Sequence, residues 1–313
     1  MTLRAVFFGT PEFAVPSLAA MLGAGIEVPL AVTRPDRPAG RHATPLPSPV
    51  ARLAVERGMA VEKPERLRGN DAFLDTIRRI APDVGVVVAY GKILPKPLLD
   101  LARSGFVNVH ASLLPKHRGA SPIAAAILAG DTETGVTTMR VVEELDAGPI
   151  YLSRRAAIGD AEDAGSLSRR LAGLGAELLV ETLRGLEAGT LEAKPQTGEP
   201  SFCRAIRRED AEIDWTLPAG AIERRLRAYT PWPGLYSFLG GERIKLLRAE
   251  TGPGGRVEPP GTLWTERGDL FAAAGGGSSV RLRELQRAGR KPVRGADFAL
   301  GVKLPVRLGR FPS

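Results

Sequence analysis

Short uninterrupted apolar runs alternate with longer amphipathic stretches over the first 189 residues or so. Residues 5–8, 28–32, 84–89 and 107–109 read as strands bounded by turn formers, and the stretches between them carry apolar positions at helical spacing. The run Val84-Gly85-Val86-Val87-Val88-Ala89 has no polar alternation, as expected of a central parallel strand covered on both faces. The β-α-β-α order predicts a Rossmann-like, doubly wound, mostly parallel α/β sheet. A helix is expected over about 166–189, a strand over 135–142, and a helix beginning at Ser121-Pro122. After the first strand, Gly9-Thr10-Pro11-Glu12 predicts a helix capped by Thr10 with Pro11 at its first position.

The pattern changes near residue 190. Lys194-Pro195-Gln196-Thr197-Gly198-Glu199-Pro200 has linker composition, and short segments punctuated by glycine and proline follow it. These predict a small β-barrel of the oligonucleotide-binding type. The expected division is therefore a first domain over 1–189, a linker over 190–208 and a barrel domain over 209–313. A second irregular segment, 33–49, holds five prolines in seventeen residues, which excludes helix and central strand. It follows the carboxyl end of a strand, where ligand loops of such sheets lie, and it carries Arg34, Arg37 and Arg41.

Composition narrows the chemistry. The 313 residues include one cysteine and three histidines, too few for a disulfide or a cysteine cage, and no two histidines have metal-ligand spacing, so no bound metal is expected. No secretory signal or membrane span is legible, which with the cysteine count predicts a cytoplasmic protein. The nearest approach to a dinucleotide fingerprint, Gly23-Ala24-Gly25, precedes a strand instead of following one, so a nicotinamide cofactor is not expected. The net charge is +8, of which +5 falls in residues 209–313, and residues 281–310 hold nine basic and two acidic side chains. That distribution suits contact with phosphates as well as a merely solvated basic face.

In Phe106-Val107-Asn108-Val109-His110 the period of two sets Asn108 and His110 on one face at a strand end. An apolar loop, Ala111 to Pro115, follows, and Leu145-Asp146-Ala147-Gly148 forms an acidic turn further on. From spacing alone, hydrogen-bonded strand-end residues and a solvated turn would explain these features. Asn108-Val109-His110-Ala111-Ser112-Leu113-Leu114-Pro115 together with Leu145-Asp146-Ala147-Gly148 nevertheless resembles the signature of the folate-dependent formyltransferases. The resemblance extends to Phe8-Gly9-Thr10-Pro11-Glu12-Phe13-Ala14, Pro35-Asp36-Arg37-Pro38-Ala39-Gly40-Arg41, Val87-Val88-Ala89-Tyr90-Gly91, Ile213-Asp214-Trp215 and Pro231-Trp232-Pro233, which are similar to members acting on tRNA.

The resemblance implies a catalytic formyltransferase domain followed by a tRNA-binding barrel, acting as a monomer. It implies 10-formyltetrahydrofolate as formyl donor and the methionine amine of initiator methionyl-tRNA as acceptor. Asn108, His110 and Asp146 would be catalytic, with His110 expected in its protonated form. Ser112, Leu113, Leu114 and Pro115 would bind the folate, joined by the backbone around Ala89 and Tyr90. Arg41 and Arg207 would meet tRNA; the chain has His42-Ala43-Thr44 and Ala205 at positions where members commonly carry lysines. A formyltransferase acting on a small amine, such as glycinamide ribonucleotide or an amino sugar, is the alternative. The arginine-bearing loop and basic second domain argue against it, since a small acceptor needs neither.

Overall fold

A computed structural model describes residues 3–39, 44–255 and 257–309. Arg41 lies outside the described residues. The chain forms two compact units, one comprising 1–122, 133–157 and 168–204, the other 123–132, 158–167 and 205–313.

The first unit opens with β1 (Arg4–Gly9), α1 (Val15–Gly23) and β2 (Glu27–Val32), then a hairpin of β3 (Arg37–Ala39) and β4 (Thr44–Leu46). It continues through α2 (Pro49–Glu56), β5 (Ala60–Glu62), α3 (Asp71–Ile80), β6 (Val84–Val88), α4 (Lys96–Leu99), β7 (Phe106–His110) and β8 (Arg118–Gly119). The chain then passes through α5 (Pro122–Ala129), all but its first residue in the second unit, and returns with β9 (Glu133–Arg140), β10 (Ile150–Ala157), α6 (Ala164–Glu187), which belongs to the first unit from residue 168 on, and β11 (Phe202–Cys203). The main sheet has the order β10-β9-β7-β6-β1-β2-β5. Pairings among β7, β6, β1, β2 and β5 are parallel, whereas β9 runs antiparallel to both β7 and β10.

Alternate residues of β1 explain why the central strands lack polar alternation. Ala5 and Phe7 pack with Leu18 of α1, Val50 of α2 and Leu179 and Leu183 of α6; Val6 and Phe8 pack with Phe73, Leu74 and Ile77 of α3 and Leu98 of α4. Both sheet faces are thus covered by apolar surface, each fully buried aliphatic or aromatic side chain contributing about 1.5 to 3 kcal/mol. Local signals set the helix starts: Ser48 accepts a hydrogen bond from Ala51 N at 3.1 Å ahead of Pro49, and Asn70 accepts one from Phe73 N at 3.1 Å.

The expected Thr10 cap is not formed. Pro11 is extended (ψ 176°), a short 3-10 turn covers Glu12–Ala14, and α1 begins only at Val15. The Thr10 hydroxyl instead bridges two neighbouring loops, donating to Tyr90 O and accepting from Arg34 N, both at 3.3 Å. Gly9 permits this path, because a Cβ there would lie 2.6 Å from the Phe7 ring and 2.9 Å from Ala14 Cβ.

In the second unit α7 (Ala219–Ala228) precedes β12 (Tyr236–Leu239), β13 (Glu242–Thr251), β14 (Thr262–Glu266), β15 (Asp269–Ala273), β16 (Ser279–Arg287), β17 (Val293–Arg294), α8 (Gly295–Leu300) and β18 (Val306–Arg307). The antiparallel sheet runs β12-β13-β16-β15-β14-β18, with β17 on β16. Gly309 N, just beyond β18, donates to Phe238 O of β12 at 2.8 Å, so the two ends of this order approach closure as a barrel.

Candidate active site

The candidate polar groups gather at the carboxyl end of β7, which carries Asn108 and His110. There His110 is 6% exposed and Asn108 is half-buried. Among the described residues no protein group hydrogen-bonds the side-chain amide of Asn108, so its N–H donors are uncommitted there. The chain then turns through 111–117 and is held by β9. Thr137 Oγ1 donates to Ser112 O at 2.7 Å and accepts from Leu114 N at 3.3 Å, while Ser112 Oγ donates to Lys116 O at 2.5 Å. Leu114 and Ser112 are buried, whereas Leu113 and Pro115 are half-buried. Ser112 and Leu114 therefore define the loop's shape, and Leu113 and Pro115 offer it apolar surface.

The loop returns His117 to the imidazole it left. His110 Nε2 lies 3.0 Å from His117 O. A carbonyl can only accept, so Nε2 carries the proton and Nδ1 is free to act as a base in the neutral ring. Nδ1 faces Asp146 Oδ2 at 3.7 Å. Burial pushes the His110 pKa below its ordinary 6.5, outweighing the opposite pull of Asp146 and of the His117 carbonyl. The protonated His110 expected from sequence is thus disfavoured by desolvation. The geometry offers a neutral imidazole beside a carboxylate, two acceptors able to share one incoming proton.

Asp146 is itself held under constraint. Its backbone is left-handed (φ 48°), its side chain is 14% exposed, and its Oδ2 accepts a hydrogen bond from Gly119 N at 2.8 Å. Gly119 sits at φ 122° where β8 pairs with β11, and a Cβ there would lie 2.0 Å from Cys203 O, so glycine is required. Burial also pushes the Cys203 thiol up, which makes it a poor nucleophile.

Of the residues expected at the site, Asn108, His110, Asp146 and 112–115 all lie in this first unit, brought there by β7, the following loop and the turn before β10. The backbone near Ala89 and Tyr90 turns at the end of β6 with left-handed conformations at Ala89 (φ 47°) and Gly91 (φ 78°). The Tyr90 side chain points into the core against Phe8, and burial raises its pKa to about 12. Arg207 is exposed in the second unit. Sequence reading missed Thr137, Arg118, Gln196 and Ser201, which fix the loops around Asp146. Gln196 and Ser201 fall within or beside the stretch read as linker. That stretch is instead anchored to the first unit by reciprocal Ile150–Lys194 backbone bonds and by the β8–β11 pairing.

Comparison with known proteins follows the same division. The formyl transferase family model matches residues 3–183, and the model of the formyl transferase C-terminal domain matches residues 205–303. The chain is 46% identical over 313 residues to the methionyl-tRNA formyltransferase of Aromatoleum aromaticum, covering 99% of this chain and 98% of that one. It is 47% identical over 302 residues to the methionyl-tRNA formyltransferase of Myxococcus xanthus, covering 96% of each. Among solved structures the fold resembles an N-formyltransferase from Helicobacter canadensis in complex with folinic acid and dTDP-3-aminofucose (TM-score 0.66, 16% identity, 92% of this chain and 100% of that one). It also resembles HypX from Aquifex aeolicus in complex with tetrahydrofolic acid (TM-score 0.61, 18% identity, 95% of this chain and 47% of that one). Matching in both units and along nearly its whole length, the chain belongs to the formyl transferase family.

Proposed function

We infer that the protein is an enzyme that transfers the formyl group of 10-formyltetrahydrofolate to the amine of methionine carried by initiator tRNA. The observation that carries the acceptor is the near full-length similarity to methionyl-tRNA formyltransferases, which includes the second unit as well as the first. A small-amine acceptor is not favoured: sugar N-formyltransferases of this fold are 14–21% identical to the chain, against 41–47% for the methionyl-tRNA formyltransferases.

The donor supplies an activated formyl carbon for attack by the methionine amine. Negative charge then develops on the formyl oxygen while the attacking nitrogen must lose a proton. In our reading Asn108 donates its amide N–H to that oxygen, a fixed donor of the kind whose loss costs about 3 to 4 kcal/mol. His110 Nδ1 and Asp146 take the proton, and the His117 carbonyl holds the resulting imidazolium by its Nε2–H; as the tetrahedral adduct collapses, the bond from the formyl carbon to the donor nitrogen breaks, and that nitrogen leaves as tetrahydrofolate with the proton returned from this pair. The apolar surfaces of Leu113 and Pro115, on a loop pinned by Thr137, are suited to the flat rings of a folate, and the turn around Ala89 and Tyr90 presents backbone groups to it.

The barrel and the exposed Arg207 would meet tRNA, with Arg41 reaching the acceptor end. We assign the two units these two tasks, and expect a monomer in the cytoplasm. Among the described residues no helix is long and apolar enough to cross a membrane. The test is incubation of the full chain with charged initiator tRNA and 10-formyltetrahydrofolate labelled in the formyl group. Label should appear on methionyl-tRNA, and its appearance only on a small amine such as glycinamide ribonucleotide would overturn the assignment.

A further inference from the structure

We propose that Gln196 is the positioning residue of this site, an amide clamp that holds the Asp146 carboxylate opposite His110. The inference rests on the formyl-transfer reading above. Asp146 stands in an exposed turn: Glu143, Glu144 and Leu145 are all exposed, and its backbone is left-handed, a conformation that aspartate tolerates better than most non-glycine residues but that needs holding to give one fixed side-chain position. The hold comes from 50 residues further along. Gln196 Nε2 donates to Asp146 O at 2.7 Å and to Gly148 O at 2.8 Å, gripping the turn on either side of Ala147. Gln196 Oε1 accepts from Arg118 Nη2 at 2.8 Å and from Nε at 3.2 Å. The next residue after Arg118 is Gly119, whose N–H holds the Asp146 carboxylate. The four residues close a ring of hydrogen bonds in which backbone and side chain of Asp146 are fixed by the same assembly.

Only a primary amide of this length fits the central place. Two carbonyls require two donors, and a guanidinium requires an acceptor; glutamine supplies both, and a carboxylate cannot donate. The Gln196 backbone is in turn immobilised. Ile150 N donates to Lys194 O at 2.7 Å and Lys194 N to Ile150 O at 2.8 Å; beyond Gln196, Ser201 O accepts from Arg118 N at 2.8 Å and Ser201 Oγ from His117 N at 2.9 Å. Residues 194–203 thus strap the Asp146 turn to the loop that carries both the His117 carbonyl and Gly119. Among the described residues the Gln196 side chain hydrogen-bonds Asp146, Gly148 and Arg118 and neither His110 nor Asn108, so it acts through Asp146.

The test uses the full chain with Gln196→Ala, Gln196→Glu and Gln196→Asn. In the formylation assay kcat should fall, by up to about 100-fold if the carboxylate moves by an ångström, with KM for the folate and the charged tRNA nearly unchanged. A second readout needs no substrate: the Gly119 amide, followed by hydrogen exchange in 15N-labelled protein, should lose its protection. Gln196→Glu, nearly isosteric, should be as impaired as Gln196→Ala because its carboxylate faces two carbonyls, and it carries the comparison should Gln196→Ala not fold. Parent-like kcat and Gly119 protection in either variant would overturn the inference and reduce the strap to a contribution to Tm. Should the parent fail to formylate charged tRNA, the functional reading fails, while Gly119 protection still decides whether Gln196 holds Asp146.

Discussion

Asn108 and His110 leave the same strand two residues apart but meet different environments, and that difference divides their tasks. The donors of the Asn108 amide are uncommitted among the described residues, whereas the His110 ring is buried, with Nε2 committed to a carbonyl and Nδ1 turned to a carboxylate. Asn108→Ala should therefore lower kcat by about 100- to 1000-fold in steady-state formylation, with little change in either KM, because its donor is most needed when charge develops. The pH profile tests the other half. His110 has its pKa lowered by burial, so the unfolded chain takes up the proton first as pH falls below 6.5. The stability that depends on neutral His110 is complete above that pH and is lost as pH falls to the lowered value, whereas the folded enzyme keeps its proton-accepting capacity until pH reaches that lowered value. As pH falls from 8, kcat should accordingly stay flat through 6.5 and decline only below it. A rate that climbs on acidification would show that the charged imidazolium is the working form.

At the scale of elements, the strands of the first unit were legible because each is a short apolar run closed by turn formers. The barrel's charge was not, since a count along the chain cannot see cross-strand pairing. Of the nine basic residues in 281–310, Arg281 and Arg283 pair with Asp269 and Glu250, and Arg287 pairs with Glu242 and lies over the Phe298 ring. These arginines hold β16 to its neighbours. Arg290, Lys291 and Arg294, in and beside the β16–β17 turn, are exposed and form no ion pair among the described residues. The turn is thus the part of the strand pair that can neutralise phosphate. Changing Arg290, Lys291 and Arg294 together to alanine should weaken tRNA binding and reduce its salt slope by about one for each phosphate no longer neutralised, with an unaltered folate KM. Arg287→Ala should act instead on Tm. If filter binding shows an unchanged salt slope in the triple variant, the phosphates lie elsewhere on the barrel.

Across the whole molecule, the candidate site was legible only where its chemistry sits in consecutive residues. Asn108 to Pro115 and Leu145 to Gly148 are such runs; Gln196 is a single amide in a stretch of proline, glycine and charge, and nothing local distinguishes it from a linker residue. Its role appears only when β10 and β11 bring 194–203 back onto the first unit. The two units differ in how their contacts respond to ions, which gives a test at this scale. Net charge is +8, with the larger share after residue 208, and a polyanion bound to such a surface releases counterions. A folate held, as proposed, by apolar loop surface and backbone groups at the end of a parallel sheet would release far fewer. The tRNA Kd should therefore rise steeply with salt, by about 1000-fold between 50 and 200 mM if some six phosphates are engaged, while the folate KM stays within a small factor. Measuring both constants on one preparation separates tRNA binding from loss of structure, because unfolding would raise the two together. A tRNA Kd flat over that range would mean that recognition rests on stacking and shape at the acceptor end, leaving Arg41 and its loop, and not the barrel, as the determinant of the acceptor.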